Sequence, residues 1–147
     1  MLTTIASVLK QKGHDVWSVP PTASVADAIH TMAQQRIVVL LVMSQNRLVG
    51  IVSERDCTRK VILQGKNATE ARVSDIMTSP VVFVSPKHTV GDCLWIMTEN
   101  GFTHLPVVEG ESVVGVVSSG DLLRNIVNTQ SETINHLEGY ISGKYPG

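Results

Sequence analysis

Aromatic residues are scarce. The 147-residue sequence has two Trp, two Tyr and two Phe. A surface on which nucleic-acid bases stack needs several such rings side by side, so that class of function has no support. An excess of positive charge is missing too. Twelve Lys and Arg meet thirteen Asp and Glu, for a net charge of −1, and nothing resembles the basic face of a nucleic-acid binder. Long hydrophobic runs are absent. The longest is Ile37–Met43, seven residues, against the ~20 that cross a bilayer; it reads as a buried strand. The first residues, with Lys10 before position 12 and no long apolar stretch, do not read as a signal peptide. Cysteine is limited to Cys57 and Cys93. Neither has a partner at CxxC spacing, and no histidine completes a zinc site. Two reduced thiols on helices of a cytoplasmic protein are expected, with no metal. Catalytic signatures are lacking as well: no Gly-x-x-x-x-Gly-Lys, no Gly-x-Gly-x-x-Gly and no His-Glu-x-x-His.

What is present is a repeat. Residues 21–62, moved forward by 65 positions, fall on 86–127 without a gap, and twelve of the 42 positions are identical. The identities include Val25/Val90, Asp27/Asp92, Leu40/Leu105, Gly50/Gly115, Ser53/Ser118, Asp56/Asp121 and Arg59/Arg124. With 43% apolar residues the chain can fill a core. A unit of about 60 residues buries only ~60% of its unfolded surface and is marginal alone. Two such units are therefore expected to pack face to face in one compact domain, with two related clefts between them.

Each half reads as β-α-β-β-α. A short strand, Val16–Val19 or Val81–Val84, precedes a proline-containing turn. Ser24 or Thr89 opens a helix with apolar residues at helical spacing: Val25, Ala28, Ile29, Met32 and Ala33 in one half, Val90, Cys93, Leu94 and Met97 in the other. Two Val/Ile/Leu-rich strands follow, Ile37–Met43 with Leu48–Val52 and Thr103–Val108 with Val113–Val117. A second helix starts at Ser53 or Ser118. The divisions expected are a flanking helix over 1–15, the first repeat over 16–66, a linker over 67–79, the second repeat over 80–130 and a C-terminal helix and tail over 131–147. Stripes of Ile5, Val8 and Leu9, and of Ile134, Leu137 and Ile141, suit the flanking helices for docking on the module or on a second subunit.

Both halves carry Ser-x-x-Asp where the last strand turns into the second helix: Ser53-Glu54-Arg55-Asp56 and Ser118-Ser119-Gly120-Asp121. A helix N-terminus presents unpaired N–H groups and partial positive charge to a phosphate. The serine can donate to a phosphate oxygen, the carboxylate can accept from both hydroxyls of a ribose, and Arg55 and Arg59 add charge-assisted contacts. The same spacing is equally a capping box, and Ser24-Val25-Ala26-Asp27 and Thr89-Val90-Gly91-Asp92 repeat it where only a cap is expected. The second pair differs by position: it follows a strand and a glycine, where ligands of α/β proteins commonly lie.

In these features the chain resembles a tandem pair of CBS domains (a Bateman module), named after cystathionine β-synthase. The resemblance rests on the β-α-β-β-α halves, the Leu105-Pro106-Val107-Val108 strand and the apolar-Gly-apolar-apolar-Ser-x-x-Asp segment in both repeats. It covers about residues 16–130. The short length and flanking helices resemble family members without an attached catalytic domain. The resemblance implies a non-catalytic regulatory module that binds AMP, ADP, ATP, NAD or S-adenosylmethionine between its repeats, commonly as a homodimer, with an unnamed downstream target. It implies one site joining Ser53, Arg55, Asp56 and Arg59 to Val82–Ser85 and to Thr103, His104, Leu105 and Pro106. It implies another joining Ser118, Ser119 and Asp121 to Val16, Trp17 and Ser18 and to Val38, Val39, Leu40 and Leu41.

Two departures matter. Leu41 stands where the second half has Pro106, and Gly120 where the first has Arg55. The Asp121 site thus lacks one cation, and tighter phosphate binding is expected at the Asp56 site. His104 is a ligand contact or a structural histidine; Trp17 stacks on adenine or packs in the core. Met32, Trp95, Ile96 and the flanking helices are candidate dimer surface. Two rival readings remain: a structural dimerisation module whose clefts hold no ligand, and a small nucleotide hydrolase using Asp56 and Asp121.

Overall fold

Ser24 and Thr89 open two helices in the same way. Each side-chain oxygen accepts the amide three residues on, Asp27 at 3.0 Å and Asp92 at 3.1 Å, which satisfies a donor the helix leaves without a partner. The structure is a computed structural model that describes the backbone of residues 2–140 and the side chains of residues 2–129. Its elements are α1 (Ile5–Lys12), β1 (Ser18–Val19), α2 (Val25–Gln35), β2 (Val39–Ser44), β3 (Arg47–Ser53), α3 (Glu54–Cys57, continued by a π-turn over Thr58–Ile62), α4 (Val73–Ile76), α5 (Val90–Asn100), β4 (His104–Glu109), β5 (Ser112–Ser118) and α6 (Ser119–Tyr140).

The mixed α/β architecture follows the repeat. One sheet runs β1-β2-β3 and the other is the β4-β5 pair. The registers coincide under the 65-residue shift: Val39 faces Ser53 as His104 faces Ser118, and an irregularity between Val42 and Met43 recurs between Val107 and Val108. The symmetry is broken in several places. The strand expected over Val81–Val84 is reduced to a single bridge between Val84 and Val107. The helix expected to flank the second repeat is the continuation of α6, unbroken from Ser119 to Tyr140. In the first half Gly65, at φ 69°, takes the left-handed conformation that ends a helix; Gln130 stands at the equivalent position. Of the stripe expected there, the side chains of Ile134 and Leu137, and Ile141 altogether, lie outside the described residues.

There are two cores, and each is completed by a segment from elsewhere in the chain. Val19, Val25, Ala28, Met32, Leu40, Val42, Val52, Cys57 and Val61 of the first repeat enclose Val73 and Ile76 of α4. Val84, Val90, Cys93, Met97, Leu105, Val107, Val117 and Leu122 of the second enclose Ile5, Val8 and Leu9 of α1. The backbone bonds match: Val73 N–H donates to Ala23 O and Ser74 N–H to Pro21 O, as Ile5 N–H donates to His88 O and Ala6 N–H to Pro86 O. The segment ahead of each repeat therefore seals the other one. Burying each large aliphatic side chain contributes about 1.5–3 kcal/mol, so α1 is a structural member of the second repeat. That answers where its stripe docks.

The strand glycines mark where these segments approach. A Cβ on Gly115 would lie 2.7 Å from Leu9 Cδ2, and one on Gly50 would collide with Met77 Sδ. Only glycine leaves that space.

Candidate functional site: two clefts between the repeats

The first cleft, of about 400 Å³, lies at the junction of β3 and α3. Ser53, Arg55 and Asp56 line one side, Val38, Val39 and Ile51 the floor with Thr78 of the linker bridged to Ile51, and Val81, Val82, Phe102, Thr103 and His104 the side given by the second half. The second cleft, of about 360 Å³, joins Ser118, Asp121 and Arg124 to Trp17, Arg36, Val38, Val39 and Leu41, with Lys12 and Asp15 at its edge. Val38, Val39 and His104 line both, so the two hollows share a wall. The backbone holds that wall in place symmetrically: Glu54 N–H donates to Val38 O and Ser119 N–H to Thr103 O, both at 2.9 Å.

Both Ser-x-x-Asp turns are capping boxes. Ser53 N–H donates to Asp56 Oδ2 and Asp56 N–H to Ser53 Oγ, each at 3.0 Å. Ser118 N–H donates to Asp121 Oδ2 at 2.8 Å and Asp121 N–H to Ser118 Oγ at 3.0 Å. With the Glu54 and Ser119 amides bonded across the shared wall, the turns do not offer the row of open N–H groups read from the sequence. The hollows in front of the turns are nevertheless open, and each cap occupies a single carboxylate oxygen.

The other oxygen separates the two clefts. Asp56 Oδ1 has Lys60 Nζ at 3.4 Å, and its side chain is 20% exposed. Asp121 is held far more tightly. Its Oδ1 accepts from Arg124 at 2.6 Å and its Oδ2 from Lys12 at 2.7 Å, and its side chain is 9% exposed. Burial pushes the Asp121 carboxyl up, but the hydrogen bonds from Lys12 and from Ser118, with the Lys12 charge, outweigh burial and leave it below its ordinary 3.8. The partners differ in position along the two helices. In α6 the residue three positions on, Arg124, faces Asp121, and the residue four positions on is the uncharged Asn125; in the first half, where a π-turn follows Cys57, Lys60, four positions on, faces Asp56 and Arg59 is exposed and lines neither cleft.

His104 is half-buried in the shared wall, with Nδ1 2.9 Å from Thr103 Oγ1. Burial lowers its pKa below 6.5; the Asp121 carboxylate opposes that and the Lys12 charge adds to it. The two thiols are buried in the cores. Burial pushes Cys93 up to about 11, with Asp92 adding to it, and raises Cys57, with Asp56 adding to it. Such thiols are inert. No cluster of three His, Cys, Asp or Glu side chains fit to hold a metal occurs among the described residues.

Of the positions singled out from the sequence, Ser53, Arg55, Asp56, Val82, Thr103 and His104 meet at the first cleft, and Ser118, Asp121, Trp17, Val38, Val39 and Leu41 at the second. Leu40 and Leu105 point the other way, into the cores, because alternate residues of a strand face opposite sides. Pro106 is buried beside Leu105. Val16, Ser18, Ser119, Arg59, Phe83, Val84 and Ser85 line neither cleft. The cation balance differs from the expectation drawn from Gly120: among the described residues Lys12, Arg36 and Arg124 reach the second cleft, while Arg55 alone reaches the first. Lys12 lies outside the repeated segment, so the comparison of halves was blind to it. Arg36 had a signal. It sits at φ 55° where the second half has Gly101, at φ 69°, and a bulky residue in that conformation marks strain of the kind found at functional sites.

Two β-α-β-β-α halves, exchanged leading segments and paired interfacial clefts describe one architecture, and the CBS domain family model matches residues 11–63 and 73–128. The chain is a CBS-domain protein. Its sequence is 35% identical over 153 residues to the mitochondrial CBS domain-containing protein CBSX3 of Arabidopsis thaliana, covering 97% of this chain and 74% of that one. Its CBS pair superposes on a CBS-domain protein from Burkholderia ambifaria with a TM-score of 0.84 at 40% identity, over 87% of this chain and 96% of the other. The CBS pair of protein MJ0100, solved with methylthioadenosine and S-adenosylmethionine, shares the fold at a TM-score of 0.78 and 23% identity, over 88% and 99% of the two chains; that likeness is one of fold alone. No helix among the described residues of this CBS-domain protein is long and apolar enough to cross a membrane.

Proposed function

We infer that this CBS pair is a non-catalytic sensor that takes an adenine nucleoside or nucleotide between its repeats. AMP, ADP, ATP, NAD and S-adenosylmethionine are the ligands of that class. The observation that carries the reading is the first cleft. It joins an acidic oxygen not consumed by the cap, Asp56 Oδ1, to an apolar wall of Val81, Val82 and Phe102 from the other half. A carboxylate oxygen with open lone pairs accepts the two hydroxyls of a ribose, and an apolar slot suits the faces of a purine. Arg55 at the rim supplies a cation for phosphate.

Binding signals only if it favours one shape or assembly over another. A homodimer is the assembly proposed, with Trp95 on α5 and Leu123 and Val127 on α6 exposed at 66%, 54% and 56%. Met32, expected on that surface, is in the first core and Ile96 is half-buried. The downstream target is a protein that reads the change.

Thermal unfolding against adenosine, AMP, ATP, NAD and S-adenosylmethionine tests the reading. A ligand at 100 times its Kd adds ~2.7 kcal/mol, and Asp56→Ala is expected to weaken binding roughly tenfold or more. If no adenine compound shifts the transition, the clefts serve a purely structural module.

A further inference from the structure

The geometry points to Lys12 as a built-in occupant of the Asp121 cleft, whose ammonium sits on the carboxylate that a ribose would need and keeps this cleft closed to an uncharged nucleoside while the Asp56 cleft stays open. The inference rests on the reading of the clefts as nucleoside sites and adds what regulates the second one.

Lys12 ends α1, and its Nζ reaches two acceptors at once, Asp121 Oδ2 and Val116 O, each at 2.7 Å. A carboxylate has about four lone-pair positions. On Asp121 the Ser118 amide and Lys12 fill Oδ2, and Arg124 takes one position on Oδ1. A single acceptor position is left for a diol that needs two. On Asp56 the cap takes one position of Oδ2, and Lys60 Nζ, which donates its hydrogen bond to Ile76 O at 2.9 Å, forms a looser ion pair with Oδ1 at 3.4 Å. Lys60 is the nearest counterpart of Lys12, since it too holds a backbone carbonyl beside the aspartate, but its hydrogen bond goes to Ile76 O and its 3.4 Å ion pair leaves the lone pairs of Asp56 Oδ1 open. The segment equivalent to α1 is α4, and Met77, which caps its C-terminus and faces the strand glycine, corresponds to Leu9; three residues beyond Met77 stands Pro80, where α1 has Lys12.

Displacing Lys12 need not dislodge α1. Ile5, Val8 and Leu9 anchor that helix in the second core, while the Lys12 side chain is 34% exposed and followed by Gly13, which has open space around it. The occupant is therefore a side chain that can swing out, and an anionic ligand that pairs with the ammonium would draw it away. Trp17 and Arg36 wait in the same hollow.

Adenosine, which has the ribose and no phosphate, isolates the effect. Calorimetric titration of the full chain is expected to give one equivalent bound, removed by Asp56→Ala. Lys12→Met frees one acceptor position on Asp121 Oδ2, so that each oxygen then has one open, and is expected to give a second equivalent, with roughly tenfold or greater gain in affinity at that cleft. In a Trp95→Phe background Trp17 is the only tryptophan, so its emission should respond to adenosine in Lys12→Met and not with Lys12 present. Lys12→Arg keeps the charge and should stay at one equivalent, which controls for damage to α1. Lys12→Met combined with Asp56→Ala should still bind one equivalent and still move the Trp17 signal. One equivalent in wild type that Asp56→Ala removes, with no gain in Lys12→Met, overturns the Lys12 proposal and leaves the sensor reading standing. Two equivalents in wild type overturn it as well. No adenosine binding by any of the proteins overturns the Lys12 proposal, and the sensor reading falls with it when AMP, ATP, NAD and S-adenosylmethionine also leave the thermal transition unmoved.

Discussion

At the scale of single residues, one motif occurring twice has two chemistries. Ser53/Asp56 and Ser118/Asp121 have the same spacing and the same cap, yet Asp56 keeps an oxygen for the cleft and Asp121 is wrapped by two cations. The cap and the identity of the turn were legible in the sequence. Of the two cations on Asp121, Arg124 is a repeat identity, while Lys12 arrives from outside the repeat and was not legible in the comparison of halves. His104, common to both hollows, leads to a test in solution. Its folded pKa lies below 6.5 because burial disfavours its charged form, so the unfolded chain takes the proton first. Stability is complete above pH 6.5 and declines as pH falls below that value toward the folded pKa. Melting temperatures between pH 7 and 5 should fall in wild type and fall less in His104→Gln; parallel curves would contradict this. Asp121, with its pKa below 3.8, contributes stability above that value and loses it only at more acidic pH.

At the scale of elements, the 3.6-residue periodicity and the strand runs were sufficient to locate α2, α5, β2 to β5 and their turns, because each has an apolar face and a cap or turn residue at its ends. The periodicity could not show that Val81–Val84 forms a single bridge, nor that a π-turn follows Cys57, since neither alters the pattern of apolar residues. The two strand glycines are the sharpest element-level constraint. Gly115→Ala should cost about 1–3 kcal/mol through overpacking against Leu9, read by urea unfolding. Adding Leu9→Ala should make the pair cost less than the two changes separately, because the second vacates what the first collides with. Strict additivity would show that the glycine answers to something other than that contact.

At the scale of the whole molecule, the duplicated sequence foretold two similar halves and two clefts, and missed how they are sealed. Leu9→Ala should lower stability by about 2–5 kcal/mol, although Leu9 stands ahead of both repeats. Amide exchange should show the loss in β4, β5 and α5 before it reaches β2, β3 and α2. Loss confined to α1 itself would mean that the helix is peripheral.

That crossed sealing makes the halves mutually dependent. Severing the chain between residues 66 and 67 gives one fragment carrying α1 but lacking Val73 and Ile76, and another carrying α4 but lacking Ile5, Val8 and Leu9. Each holds the lid of its sibling. Separately they are expected to be unstructured; mixed, each should refold only around the other, so that fusing them to two proteins of choice would turn this fold into a report of their meeting.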